Sequence, residues 1–241
     1  MKIVVTGSQG FIGTHLCKRL VDSGHDVVGI DIQDGRDISS YKFDQSNSVD
    51  AVVHLAAKVS VHESISDPQP YWQTNVVGSK KVFEWADAIG CRLIIASTSN
   101  AKWWYLNPYA ASKAAMEAIA PKHSAILRLH NVYGNNIRSN LLLDKIKKGA
   151  VTHKTDHFRD MIRVEEVCDI IERLLQPGFD NIAGIIDVGT GIPQSIKQLI
   201  EMCDIDVPLV TDTPNEVHTT QANIERQIQE LNYYPKSNIL K

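Results

Sequence analysis

Cysteine is scarce in this chain and spaced for no obvious chemistry. The four cysteines, Cys17, Cys91, Cys168 and Cys203, make no C-x-x-C pair and have no histidine at metal-ligand spacing, so neither a disulfide framework nor a metal centre is expected. They read as reduced core thiols of a cytoplasmic protein. Also missing is any run of Lys and Arg: with a net charge of −3, the chain offers no basic patch for nucleic acid or a membrane surface. Lys145, Lys147 and Lys148 read instead as the exposed face of a helix. No apolar run approaches the ~18 residues of a bilayer span. Met1 is followed almost at once by a core-strand pattern, so no N-terminal signal is expected. Internal repeats and low-complexity linkers are absent too.

What is present is a 241-residue chain, 43% hydrophobic, long enough to bury a full core. Apolar strand patterns near 2–6, 27–31, 51–56, 92–97, 125–129 and 185–188 alternate with helical patterns near 11–23, 71–89, 108–120, 139–148, 164–175 and 195–203. That alternation predicts an α/β fold, a doubly wound parallel sheet covered on both faces. The segment 32–50 is short for a further strand and a full helix, so one crossover is trimmed there, with Asp37-Ile38 as a candidate minimal strand. The polar tail from 207 has one helical stretch near 221–231. Residues 1–130 read as a dinucleotide-binding unit of Rossmann type, and 131–241 as a small substrate-binding lobe partly interleaved with it.

The opening residues, MKIVVTGSQGFIG, describe a strand, a phosphate-sized turn and a helix start. Gly7 permits the turn off the strand, Gly10 lets backbone N–H groups approach a pyrophosphate, and Gly13 lets the helix lie close to the sheet. The anion then meets the positive end of that helix, at Phe11 and Ile12. Asp31 ends the second strand eighteen residues past Gly13, where a carboxylate accepts from both hydroxyls of an adenosine ribose and repels a 2′-phosphate. NAD is therefore favoured over NADP, with nearby Arg36 as the complication.

Tyr109 and Lys113 stand four apart in NPYAASKAAME, on one face of a helix started by Pro108. A lysine ammonium and an oxidised nicotinamide beside a tyrosine are expected to pull its pKa from ~10 toward neutrality, so that Tyr109 exchanges a proton with a substrate hydroxyl. A strand ending in Ser97-Thr98-Ser99-Asn100 precedes the pair. Thr98 is the first choice to bond the reacting oxygen and Ser99 the second, while capping or turn formation is the plain alternative for both.

Taken together, TGSQGFIG, Asp31, HLAA at 54–57, Asn75 in NVVGS, Ser97-Thr98 and YAASK resemble the extended short-chain dehydrogenase/reductase superfamily, in its NAD-dependent epimerase/dehydratase branch. LRLHNVYG at 127–134, FRDMIRVEEV at 158–167, DVGTG at 187–191, Ala222-Asn223-Ile224 and LNYYPK extend the resemblance over nearly the whole chain. It implies pyrophosphate contacts from Gly7, Gly10, Phe11, Ile12 and Gly13. Asp31 and Ile32 lie at the adenosine ribose, Asp37 and Ile38 at the adenine, and Leu55, Ala56, Ala57, Asn75 and Ser97 flank the cofactor. Thr98, Tyr109 and Lys113 match the catalytic triad, with Lys113 also on the nicotinamide ribose. Ser99 and Asn100 fall at the substrate, and Asn131 and Arg159 at the diphosphate of a nucleotide sugar; a salt bridge to neighbouring Asp160 is the alternative for Arg159. A homodimer through helices near 71–89 and 108–120 is implied, with Trp85, Ile89, Met116 and Ile119 as candidate contacts or else core.

The chain departs from that branch in placeable ways. Only eleven positions separate Thr98 from Tyr109, and AKWWYLN stands where relatives carry a longer loop with Val-Tyr-Gly. Trp103 and Trp104 either stack on a sugar or base or pack as a lid. Dehydratases place Asp-Glu after the threonine, whereas this chain has Ser99-Asn100, which disfavours water elimination. The expected activity is epimerisation of a nucleotide-linked hexose at C4 through a keto intermediate. A 4-keto-sugar reductase with net redox change is the alternative, and an idle NAD-binding sensor the third.

Overall fold

The computed structural model describes residues 1–45, 48–135, 142–211 and 213–236. β1 (Lys2–Thr6) leads into α1 (Phe11–Asp22), followed by β2 (Asp26–Ile30) and β3 (Ala51–His54). Helices α2 (Val61–Ser66) and α3 (Gln69–Trp72) pass through a π-helical turn at Gln73–Gly78 into α4 (Ser79–Ala88) and on to β4 (Arg92–Thr98). α5 (Pro108–Ile119) and β5 (Ala125–Leu129) complete this part. Beyond lie β6 (Asn131–Tyr133), α6 (Leu142–Lys147), β7 (Lys154–Thr155), β8 (Phe158–Arg163), α7 (Val164–Leu174) and β9 (Gly184–Val188). Last come β10 (Pro193–Ser195), α8 (Ile196–Glu201), β11 (Leu209–Val210) and α9 (Glu225–Gln229).

Six parallel strands form the central sheet in the order β2-β1-β3-β4-β5-β9, each within two residues of its expected position. Alternate side chains serve opposite faces, as the two-residue strand period requires. Ile3, Val5, Val53 and Ile94 join Leu16 and Leu20 of α1 and Ile170, Ile171 and Leu174 of α7 in one buried layer. Val4, Val52, Leu93 and Ile95 join Val82 and Phe83 of α4 and Met116 of α5 in the other. A second, three-stranded sheet, β10-β8-β6, stands beyond the end of β5. No helix among the described residues is long and apolar enough to cross a membrane.

The strand order reverses at β1: the chain steps to β2 on one side and then crosses to β3 on the other. Such a switch point opens a crevice beyond the carboxyl ends of the strands. Asp37-Ile38 is not a strand. Instead Ile38 is buried in the core, and a Cβ on Gly78 would stand 2.9 Å from its Cγ1. One side chain pressed against a glycine thus anchors the short connection in the core.

Other expectations are corrected here. The single helix expected over 71–89 runs continuously from Gln69 to Ala88 with the π-helical turn inside it, and the tail helix is shortened to Glu225–Gln229. Residues 139–141 of the expected 139–148 helix lie outside the described residues, as does the side chain of Lys147; Lys145 and Lys148 are exposed. Cys203 is exposed and so is no core thiol, while Cys91 and Cys168 are buried. Trp85 is 6% exposed, bonded through its indole N–H to the Asp44 carbonyl and stacked on Phe43. It and the fully buried Met116 belong to the core, which removes them as candidate dimer contacts; Ile119 remains exposed.

Candidate active site

Three adjoining cavities follow the crevice. The first, about 200 Å³, is lined by Gly7, Gly10, Asp31, Ile32, Arg36, Asp37, Ile38, Leu55, Ala56 and Ala57. The second, about 210 Å³, shares Gly7, Gly10, Leu55 and Ala57 with it and adds Phe11, Ile12, Gly13, Ser97, Thr98, Tyr109, Lys113 and His130. The third, about 460 Å³, shares Thr98, Tyr109 and His130 and opens past Ser99, Asn100, Trp103, Asn131 and Arg159. All but one of the sequence-predicted site residues therefore border one trench.

The three glycines have different reasons to be there. Gly7 has φ +72°, and a Cβ on it would lie 2.7 Å from the Ala56 nitrogen; one on Gly13 would lie 2.1 Å from the Gly7 carbonyl oxygen. The chain itself demands both. Around Gly10 a Cβ would meet only the Gly7 oxygen, at 3.2 Å, so the space it leaves faces the trench. Gly10 also starts α1 without a side-chain cap, leaving the first-turn N–H groups without helical partners. An uncapped helix start over a cavity beside a glycine suits a pyrophosphate.

Asp31 is 6% exposed and spans two loops: one carboxylate oxygen accepts from Gln9 N at 2.9 Å, the other from Gln33 N at 3.0 Å. A carboxylate has about four acceptor positions, so capacity remains for a pair of hydroxyls. Arg36 is bound to Asp34 at 2.8 Å, which keeps its guanidinium engaged within the chain. Asp37 turns its carboxylate to Ser39 N. The residue outside the cavity linings is Asn75, fully buried in the π-helical turn. Its amide clasps the N–H and carbonyl of Lys58 at 2.8 and 3.0 Å and bonds Ser112, so it shapes the wall behind Ala57.

α5 carries the reactive pair. Asn107 caps it through Ala110 N at 2.8 Å, Pro108 occupies its first turn, and Ser64 accepts the Tyr109 N–H. The Tyr109 phenol, 7% exposed, borders the same two cavities as Thr98, whose hydroxyl caps the turn at Ser99–Trp103. Lys113, 3% exposed, donates to the Ala96 carbonyl at 2.8 Å. Burial pushes Tyr109 up to about 12, with Thr98 opposing, and pushes Lys113 down to about 8, with Glu117 opposing. The Lys113 ammonium is directed at a carbonyl, and burial dominates the shift of the phenol. Ser97, expected at the cofactor, gives its hydroxyl to Glu117 at 2.6 Å and meets the cavity only at its edge.

At the far end Arg159 is held by the chain. Its guanidinium donates to the Phe158 and His218 carbonyls at 3.0 Å each, to His157 at 2.9 Å and to Glu216 at 3.3 Å. The alternative salt bridge to Asp160 is excluded, because that carboxylate is buried and accepts N–H bonds from Thr190, Gly191 and Ala222. Trp104 is exposed, paired edge-on with Tyr105, while Trp103 borders the third cavity.

Sequence reasoning passed over Glu216, His157, Glu117 and His130. The first two reach the trench through contacts spanning more than fifty residues, which leave no local spacing to read. His130 lies inside LRLHNVYG and is 5% exposed at the meeting of two cavities; neither ring nitrogen has a hydrogen-bond partner among the described residues.

The NAD dependent epimerase/dehydratase family model matches residues 3–189. Protein CapI of Staphylococcus aureus is 24% identical, over 99% of this chain and 95% of that protein. A probable UDP-glucuronate 4-epimerase of Rhizobium meliloti is 30% identical, over 72% of this chain and 68% of its own. Among solved structures, an NAD-dependent NDP-hexosamine 5,6-dehydratase, TunA, of tunicamycin biosynthesis superposes with a TM-score of 0.87 at 22% identity, over 98% of this chain and 93% of that one. The chain belongs to the NAD-dependent epimerase/dehydratase family, and its cofactor is NAD.

Proposed function

We propose that this chain is an NAD-dependent epimerase that inverts C4 of a nucleotide-linked hexose. The observation that carries the reading is the meeting of Thr98, Tyr109 and His130 at the junction of the cavity behind the glycine loop and the larger one beyond it. A proton-exchanging phenol is thus shared by a cofactor-sized trench and a sugar-sized space.

Tyr109 takes the proton of the C4 hydroxyl while Thr98 bonds the same oxygen and fixes its distance. When bound, NAD would supply reversible hydride acceptance. Lys113, in the lining of the second cavity, would hold the nicotinamide ribose. Gly7, Gly10, Phe11, Ile12 and Gly13 take the pyrophosphate, Asp31 and Ile32 the adenosine ribose, Asp37 and Ile38 the adenine, and Leu55, Ala56, Ala57, Asn75 and Ser97 shape the remaining wall. Asn131 and Arg159 meet the substrate diphosphate, with Ser99 and Asn100 beside the sugar. Neither Ser99 nor Asn100 is an acid at neutral pH, which argues against water elimination. The curated relative bearing a 4-epimerase name supports the same chemistry.

This reading includes a division near residue 130 into a cofactor unit and a substrate lobe, and a homodimer, which a single-chain mass by light scattering would overturn. A 4-keto-sugar reductase is the second reading; the short connection after β2, in which Asp37-Ile38 forms no strand, favours it because short reductases of this branch resemble it in that compaction. Denaturing fresh protein and identifying any released dinucleotide by mass spectrometry separates the two. Stoichiometric NAD is the epimerase result, whereas an empty site preferring NADPH is the reductase result.

A further inference from the structure

α5 meets β4 at three places in succession. Tyr109 lines the same cavities as Thr98, Lys113 donates to the Ala96 carbonyl at 2.8 Å, and Ser97 donates to Glu117 Oε1 at 2.6 Å. Residues 109, 113 and 117 form one stripe of the helix, and they face three consecutive strand residues. The first two places belong to the active site already described. Glu117 has no part in it so far.

Its carboxylate is 6% exposed and is gripped from β5 by Arg128, whose Nε and Nη2 donate at 2.9 and 2.6 Å. With Ser97 this makes three donors on one buried carboxylate. That carboxylate then stands one helical turn from a buried cation. We propose that Glu117 is a positioning residue of the active site: clamped by Arg128 and Ser97, it ties α5 to β4 beside the Ala96 carbonyl and so fixes the seat of Lys113. The proposal rests on Lys113 belonging to the active site.

The groups facing Lys113 are few. Tyr109 and Glu117 share its helix, Ala96 and Ser97 face it from β4, neutral His54 stands at the end of β3, and Arg128 reaches it only through Glu117. Burial alone disfavours the ammonium, and Glu117 opposes that. Removing the negative charge should therefore make Lys113 lose its proton at lower pH.

The test is an NMR titration of protein carrying ¹³Cε-lysine, with the Lys113 signal assigned through Lys113→Met. In E117Q the Lys113 midpoint should fall by about one pH unit, with the alkaline limb of kcat/KM moving the same way, and E117D should restore most of both. If E117Q does not fold, the E117Q/R128Q double variant leaves no unpaired charge and should show a smaller fall of the same sign. An unmoved Lys113 midpoint in a folded variant overturns the proposal and leaves Glu117 a packing residue. Because the titration needs no substrate, a wild-type chain inert toward nucleotide sugars would overturn the function reading without touching this result.

Discussion

At its cofactor end the trench is lined by backbone, and at its substrate end by side chains. Gly7, Gly10 and Gly13 shape the first within one turn of chain, and the Asp31 carboxylate is tied to N–H groups of its own loop and of the glycine loop. Arg159 at the second is held by His157, Glu216 and the His218 carbonyl, the last two drawn from a loop more than fifty residues away. A backbone cradle is specified by spacing and tolerates little change. Side chains gathered from distant loops can vary with less disturbance of the fold.

That contrast can be broken at several points. The largest effect belongs to Tyr109, where the two ends meet: Tyr109→Phe should bind NAD as the wild type does yet lose about 10²- to 10⁴-fold in kcat. Isothermal titration with NAD beside a turnover assay reads both, and undiminished turnover would remove Tyr109 from the mechanism. Gly13→Ala comes next. Its Cβ would be forced against the Gly7 oxygen at 2.1 Å, and overpacking of this kind costs about 1–3 kcal/mol or more. Melting temperature and NAD affinity should fall together.

Arg159→Met should weaken UDP binding about tenfold or more while NAD affinity stays unchanged. Equal losses for both ligands would erase the distinction between the ends. His54 sharpens it from the other side. Its ring is bonded to Thr6 at 2.7 Å and Ser79 at 2.9 Å, and burial holds its pKa down to about 3 against 6.5 when free. Below pH 6.5 the unfolded chain takes a proton that the folded one refuses, so this contribution is whole above 6.5 and is lost as pH falls, by about 1.4 kcal/mol per pH unit. Urea melts from pH 7 to 5 should show that slope in the wild type and a shallower one in His54→Asn. The smallest effect is expected at His130→Phe. Removing two unpartnered buried nitrogens should raise stability by about 1 kcal/mol in the same melts, whereas a loss would mean the ring is satisfied in solution.

How much was legible follows the same division. The strands were readable because β-branched runs bounded by glycine and polar residues have few other uses, and the glycine loop because each glycine answers a local steric demand. Asp31 and the Tyr109–Lys113 stripe sit at fixed offsets within single elements. Ile38 was misread because burying one side chain against Gly78 leaves no periodic trace. Trp85 is hidden in the core by Phe43 and Asp44, segments that its own helix pattern cannot reveal. The alternative partner offered for Arg159 failed for a related reason: Asp160 alternates to the opposite face of β8, and Glu216 arrives from far along the chain. Glu117 lay in plain view four residues past Lys113, but its meaning depends on Arg128 from a different strand.

The most direct test follows the anomeric and H4 proton signals of UDP-hexoses by NMR while the purified chain, with NAD, acts on them. The expected result is equilibration of C4 epimers with no accumulation of NADH at 340 nm, lost in Tyr109→Phe. Stoichiometric production or consumption of reduced cofactor, with a keto sugar as product or substrate, would contradict the epimerase reading.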